Sequence, residues 1–299
     1  MSAFLQYVVS GLTIGSFLSL VALGYTMVYG IIRLINFAHG DLFMVGAFLG
    51  WAILAPVLAA HVPVALAVLI ALVLSMLLTG GLGIAIQAVA YKPLLRAPRL
   101  SILISAVGVS LALENGVLLA FGAGYDTYPQ VLSFAGLSLA GVRVSYAQLG
   151  MIALSIALMA GLYVFVHRTA VGTAMRALAL DQEAARLMGI NVDRIILLTF
   201  FIGSLLAAAA GVMEGLYYTQ INFFMGFLIG LQAFTAAVLG GIGNIPGAMI
   251  AGFLIGFLEA FSAGYVSSRW TDVFVFAVLI LVLVVKPTGL FGERVVERM

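Results

Sequence analysis

RTAVGTAMRALALDQEAARLMGINVDR, residues 168–194, is the stretch against which every other part of the chain is read. It carries Arg168, Arg176, Asp181, Glu183, Arg186, Asp193 and Arg194, seven of the 24 charged residues of a 299-residue chain within 27 positions. Both flanks are apolar enough to live in lipid. A polar, helix-forming insert between long apolar runs is where a membrane protein meets the aqueous phase. Inside it, Asp181 predicts an N-cap, Glu183 a favourable acid in the first turn, Arg186 a favourable base in the last turn, and Gly189 a left-handed stop. These residues place a two-turn helix at 182–188, a separate short helix at 173–180, and a cap at Asn191 or Asp193 for the span that follows. A short helix at a membrane face fills a groove on a soluble partner or rests on lipid headgroups. The residues alone leave both readings open.

The whole chain is 64% hydrophobic and 8% charged, with mean hydropathy +1.24, where a soluble domain averages about 25% charged residues. At least seven runs reach the ~20 apolar residues that a spanning helix needs. The expected fold is an all-α membrane protein: a single transmembrane domain over 1–299, built as a bundle of eight to nine transmembrane elements. Spans are expected at 5–30, 40–60, 63–90, 101–122, 146–166, 195–218, 223–241, 246–265 and 270–286. The first run is too long for the apolar core of a signal peptide and reads as a permanent span. There is no cysteine, which excludes disulfides, thiolate metal sites and a cysteine nucleophile. A net charge of +2 does not suit nucleic acid. The abundance of glycine suits close helix packing in lipid.

Lys and Arg set the orientation. Lys92, Arg96 and Arg99 fall in 91–99, four arginines in 168–194, and Lys286, Arg294 and Arg298 after the last span. With Arg33, these hold 11 of the 13 basic residues if all four segments are cytoplasmic; Arg143 and Arg269 remain outside. The count fits nine elements with the N-terminus outside and the C-terminus inside. It also fits eight spans plus one re-entrant element with the N-terminus inside. The loop at 122–145, with Asp126 and Pro129, is the substantial external connection, either a docking loop or a plain connector.

Three further places carry polar or helix-breaking residues. INFAHGD, residues 35–41, interrupts the first apolar stretch. Asp41 near the start of the next helix is favoured by its dipole, and Asn36 and His39 would share a face on a helical path. This is either a self-satisfying cap and hinge or part of a gate; one histidine and one carboxylate are too few ligands for zinc. Residues 240–247 hold Gly240, Gly241, Gly243, Pro246 and Gly247. They are either a tight turn or the counterpart of the 36–41 break, since transporters break helices at corresponding points of two halves around a central site. The acids within spans are Glu114, Glu214 and Glu259. Ionisable groups at depth are costly and often functional, and Glu214, four residues before Tyr218, could meet a substrate ammonium or pair with an arginine. Glu114 and Glu259 read better as carboxyls near span ends or bonded between helices. Neither lysine sits in a phosphate-binding loop, and no hydrolytic triad or HExxH stands out.

Four motifs carry a resemblance. INFAHGD at 35–41 resembles a signature of branched-chain amino acid ABC transporter permeases. AFTAAVLGGIGNIPGA at 233–248 resembles their second signature, PTGLFG at 287–292 fits as well, and EAA-x3-G at 183–189 looks like the coupling motif of ABC importer permeases. The resemblance runs from about Gly11 to Gly292 and is nearest the shorter, H-type permease subunit. One departure is Asp41, where many members carry Glu. The resemblance implies a heterodimer with a second homologous permease, two ABC ATPase subunits that hold ATP and Mg, and a periplasmic substrate-binding protein, all in a bacterial inner membrane in contact with lipid. It implies that this chain catalyses no reaction and binds no cofactor. It implies transport of a branched-chain or other hydrophobic amino acid, with urea or a short amide as the runner-up. Within it, Asn36, His39, Asp41, Glu214, Thr235, Gly240 and Gly241 are the expected path or gate residues. Arg176, Asp181, Glu183, Ala184, Ala185 and Gly189 are expected to couple to the ATPase. An ion-coupled transporter using His39, Asp41 and Glu214, or an intramembrane enzyme using His39 and Asp41, would leave the 168–194 loop unexplained.

Overall fold

The structure, a computed structural model, describes residues 2–32, 35–95, 97–131, 136–139 and 142–292. Arg33, Arg96, Arg294 and Arg298, used in the charge count, lie outside the described residues, as does the side chain of Arg99. The described chain is a helical bundle: α1 (Ser2–Ile32), α2 (His39–Ala59), α3 (Val64–Ile86), α4 (Arg99–Phe121), α5 (Tyr146–Arg168), α6 (Ala170–Leu180), α7 (Gln182–Leu187), α8 (Val192–Tyr218), α9 (Met225–Gly240), α10 (Ile245–Tyr265) and α11 (Thr271–Val285). α3 runs on through a π turn at Gln87–Tyr91 and a 3-10 turn at Lys92–Leu94. Among the described residues eight helices are long and apolar enough to cross a membrane. The ninth expected span, α9, has 16 residues and a rise of only ~24 Å, short of the ~30 Å hydrocarbon core.

The centre is α1, which packs most extensively on α10 and also on α8. Backbones meet there because the residues between them are small. A Cβ on Gly15 would lie 2.7 Å from the Phe253 Cα, so α1 and α10 touch without intervening side chains. That is how association gains energy when lipid tails are as apolar as the side chains. α2 and α3 pack on the other face of α8, whose Ala207–Ala210 run is fully buried. α4 and α11 lie at the outside, with many large apolar side chains exposed.

The two ends of the bundle are built differently. At one end α1 begins. Gln6 bonds reciprocally with the backbone of Arg143 (3.2 and 3.1 Å), on the hairpin of β2 (Gly136–Leu139) and β3 (Val142–Ser145). β1 (Asp126–Thr127) pairs antiparallel with β4 (Gln220–Ile221), Asp126 opposite Ile221. Tyr128 follows β1 and drops into the bundle, fully buried; its hydroxyl donates to the Ala47 carbonyl at 3.0 Å. Burial pushes its phenol above the ordinary tyrosine range. At the opposite end α1 finishes against the 168–194 loop, where Gln182 Nε2 donates to the Ile31 carbonyl at 2.9 Å. The start of α1 and that loop therefore lie at opposite ends, in agreement with the nine-element arrangement. The described residues of the 122–145 connection pack within the chain, against α2 and the end of α8.

Candidate functional site

The 168–194 loop folds from its own residues. Thr169 caps α6 by accepting from the Gly172 amide at 3.0 Å. Asp181 Oδ1 caps α7, accepting from Glu183 and Ala184 at 2.8 and 3.0 Å. Gly189, at φ +84°, ends it, with the Ile190 amide bonded back to Ala185, and Asn191 caps α8. Ala185 faces inward, whereas Asp181, Glu183, Ala184, Arg186 and Gly189 are exposed. Arg176, also exposed, reaches only to Thr173 at 3.4 Å. The surprise is apolar: Leu180, Leu187 and Met188 are 82%, 89% and 83% exposed, so this end presents three large hydrophobic side chains among its charges. Lone exposed side chains are ordinary, whereas a group of them on a short protruding helix marks a binding surface.

The 35–41 break lies deep in the bundle. Asn36 Oδ1 accepts from the Tyr91 hydroxyl at 2.6 Å, a contact made at the end of the π turn. His39 opens α2 with its ring edge-on to Tyr25, centroids 4.8 Å apart, and occupies the space a side chain at Gly24 would need. Gly24 is eight residues from the end of α1, so α2 starts ~12 Å inside that end. Asn36 and His39 thus have different neighbours instead of sharing a face, because 35–38 is a turn and not a helix. Gly40 meets α9 backbone to backbone: a Cβ there would lie 2.7 Å from the Gly230 Cα, and one on Gly226 would lie 2.7 Å from the Gly40 carbonyl oxygen. The counterpart of the 36–41 break is therefore the start of α9, not the glycines at 240–247. Residues 222–226 turn inward and α9 begins beside the first turn of α2.

Beside this crossing lies a cavity of about 210 Å³. It is smaller than the ~300–1,000 Å³ of drug-sized pockets and large enough for a small molecule. Phe37, Phe224, Phe227, Leu231 and Phe234 give it apolar walls, Val107 and Leu111 of α4 close another side, and Tyr25, Ser110 and Glu114 supply polar groups. Asp41 sits behind Ser110 and interacts electrostatically with Glu114 and Tyr25. It is 1% exposed, and neither carboxylate oxygen has a hydrogen bond of good geometry. Isolated buried charge costs several kcal/mol unless paired.

The other expected path residues fall elsewhere. Thr235 is buried one position past Phe234, its hydroxyl spent on the Leu231 carbonyl. Gly240 and Gly241 form the α9–α10 turn at the 168–194 end. Gly241 and Gly243 both have φ +94°, Asn244 caps α10 through the Gly247 amide at 2.8 Å, and Gly243 lies against Gly30 near the end of α1. Glu214 is buried on α8, where its charged neighbour is Glu259 of α10; no arginine pairs with it among the described residues. Sequence reasoning missed Tyr25, Ser110, Phe227 and Gly230, and read Glu114 as a span-end carboxyl. Ser110 and Glu114, spaced i, i+4 on one face of an apolar helix, were the available signal. No group of three metal-ligating side chains occurs among the described residues.

Comparison with known proteins bears on the whole bundle. The profile of the family described as branched-chain amino acid transport system / permease component matches residues 7–283. The chain is 46% identical to the high-affinity branched-chain amino acid transport system permease protein BraD of Pseudomonas aeruginosa, over 99% of this chain and 98% of that one. It is 43% identical to the corresponding permease protein LivH of Escherichia coli K12, over 99% and 97%. Among solved structures, PsaBC from Streptococcus pneumoniae in complex with Fab is similar at TM-score 0.49 and 11% identity, over 95% of this chain and 92% of that one. With the match running from α1 to α11 and the relatives equal in length, the chain belongs to the branched-chain amino acid transport system permease family.

Proposed function

We propose that this chain is a membrane subunit of an ATP-driven importer and that branched-chain amino acids pass through the cavity at the α2–α9 crossing. One observation carries the reading: a small-molecule-sized, phenyl-lined cavity lies where two helices begin inside the bundle. Broken helices around a central site are how transporters hold and release small solutes. The chain has no phosphate-binding loop, so ATP and Mg are bound by separate subunits. Those subunits dock on α6 and α7, where Leu180, Leu187 and Met188 stand exposed among Arg176, Glu183 and Arg186. The Gln182 bond to Ile31 joins that surface to the end of α1, two residues before the segment that leads to Asn36. Lys92, Lys286 and the four arginines of 168–194 gather at this end, Arg143 and Arg269 at the other. The basic end is then cytoplasmic and takes 287–292 with it. A second permease completes the path, and a periplasmic binding protein delivers the substrate to the outer strands.

The test is leucine uptake into vesicles holding the complete importer. Uptake requires ATP and the binding protein, and Glu183→Lys lowers both uptake and ATPase stimulation at least several-fold while the protein stays inserted. Uptake that survives ATP depletion but stops when the proton gradient collapses would sink the proposal.

A further inference from the structure

We infer that Asp41, Ser110 and Glu114 form the subsite that receives the α-ammonium group of the transported amino acid, while the phenyl rings across the cavity take its side chain. The inference rests on the proposed transport function and adds to it the residues that read the substrate. Asp41 is nine-tenths buried and more, yet neither carboxylate oxygen has a hydrogen bond of good geometry, the Ser110 hydroxyl being the side-chain donor beside it. Among the described residues no lysine or arginine forms an ion pair with it; the recorded salt bridge there is Lys92 to Asp193 at 2.8 Å, at the basic end. A second carboxylate, Glu114, shares the wall, and both are 8% exposed or less. Two acids beside a cavity whose α4 side is open at the edge of the bundle repel one another and lose hydration, and a cation placed between them offsets both costs. Glu114 and Ser110 line the cavity directly, with Asp41 behind them at the first turn of α2, where the helix dipole favours its negative charge.

The opposite wall fits the same ligand. Phe227, Phe234 and Phe37 offer apolar surface and ring faces, and an aromatic face also attracts an ammonium. A zwitterion with an aliphatic side chain matches both walls; a neutral amide matches only the phenyl side. Asp41 and Glu114 lie on different helices, one on the buried α2 and one on the peripheral α4. Movement of α4 relative to α2 would therefore separate the two carboxylates and loosen the ammonium.

The chain contains no cysteine, so Ser110→Cys places a single thiol of this subunit in the subsite. The complete importer carrying it, in vesicles, is treated with a cationic aminoethyl and an anionic sulfonatoethyl methanethiosulfonate, and labelling of this chain is followed by mass. Relative to their rates with a free thiol in solution, the cationic reagent is expected to be favoured about tenfold, the scale at which acidic clefts concentrate cations. Leucine-loaded binding protein with ATP is expected to slow it. Asp41→Asn together with Glu114→Gln should abolish the preference, and Asp41→Glu should retain it. Equal relative rates, no labelling by either reagent, or no protection by leucine would overturn the subsite. If Ser110→Cys fails to assemble, Val107→Cys on the same wall takes its place with the same expectations. Failure of the importer with the unsubstituted subunit to accumulate leucine would overturn the transport function itself, and so is distinguishable from failure of the subsite.

Discussion

At the basic end, α6, α7, α8 and α10 all begin with a side chain, Thr169, Asp181, Asn191 or Asn244, that accepts from the first-turn amides. At the crossing in mid-bundle, α2 begins at Ala38 and α9 at Phe224, and neither residue offers a side-chain cap. Capped ends meet water and solve their own hydrogen bonding within three residues. Uncapped ends meet each other, with glycine backbones in contact and the Tyr25 hydroxyl against Gly40. The basic end is thus a set of local solutions, each independent of the others. The crossing is a tertiary solution in which helix separation, cavity shape and the placing of Asp41 are one property.

The sharpest way to break this contrast is Gly40→Val. No side chain fits between α2 and α9, and overpacking costs about 1–3 kcal/mol or more. Loss of the folded chain from detergent extracts, seen by size exclusion and thermal melting, is expected together with loss of uptake. A stable, active variant would show that the crossing is not close-packed. Asp181→Ala probes the other end. It removes two bonds worth about 1 kcal/mol together, so the melting temperature should fall by no more than ~2–4 °C while ATP-coupled uptake falls about fivefold. Global unfolding by this variant would mean that the loop is not a local unit. The smallest effect is expected from Tyr128→Phe, which leaves the ring in place and deletes one bond to Ala47. A loss of about 1 kcal/mol should lower the melting temperature by ~2–4 °C with uptake intact.

The same division explains what could be read beforehand. The spans and the caps at Asp181, Gly189 and Asn191 follow from apolar length and from residue types within a few positions of one another, and the structure has them within a few residues. The depth at which α9 begins did not follow, because Met225–Gly240 is apolar throughout and its start is set by Gly40 on a distant helix. Nor did the π turn at Gln87–Tyr91, which no residue pattern encodes and which brings Tyr91 to Asn36. Glu114 looked like a span-end carboxyl because α4 is otherwise apolar; its role as a cavity wall depends on Phe224–Gly230 lying opposite. The glycines at 240–247 were legible as a break, but only Gly30 and the 287–292 tail place that break at the basic end.

That tail has a further consequence. The Leu290 amide bonds to the Leu239 carbonyl at 2.7 Å, the Phe291 amide to Gly240 at 3.3 Å, and Asn244 Nδ2 holds the Phe291 carbonyl. Residues made last thereby satisfy the end carbonyls of α9, a helix too short to be held by lipid alone and made some fifty residues earlier. The C-terminal end of α9, the element beside the cavity, is thus closed by a segment that follows it by some fifty positions, and a chain stopped before residue 287 would leave those carbonyls without these partners.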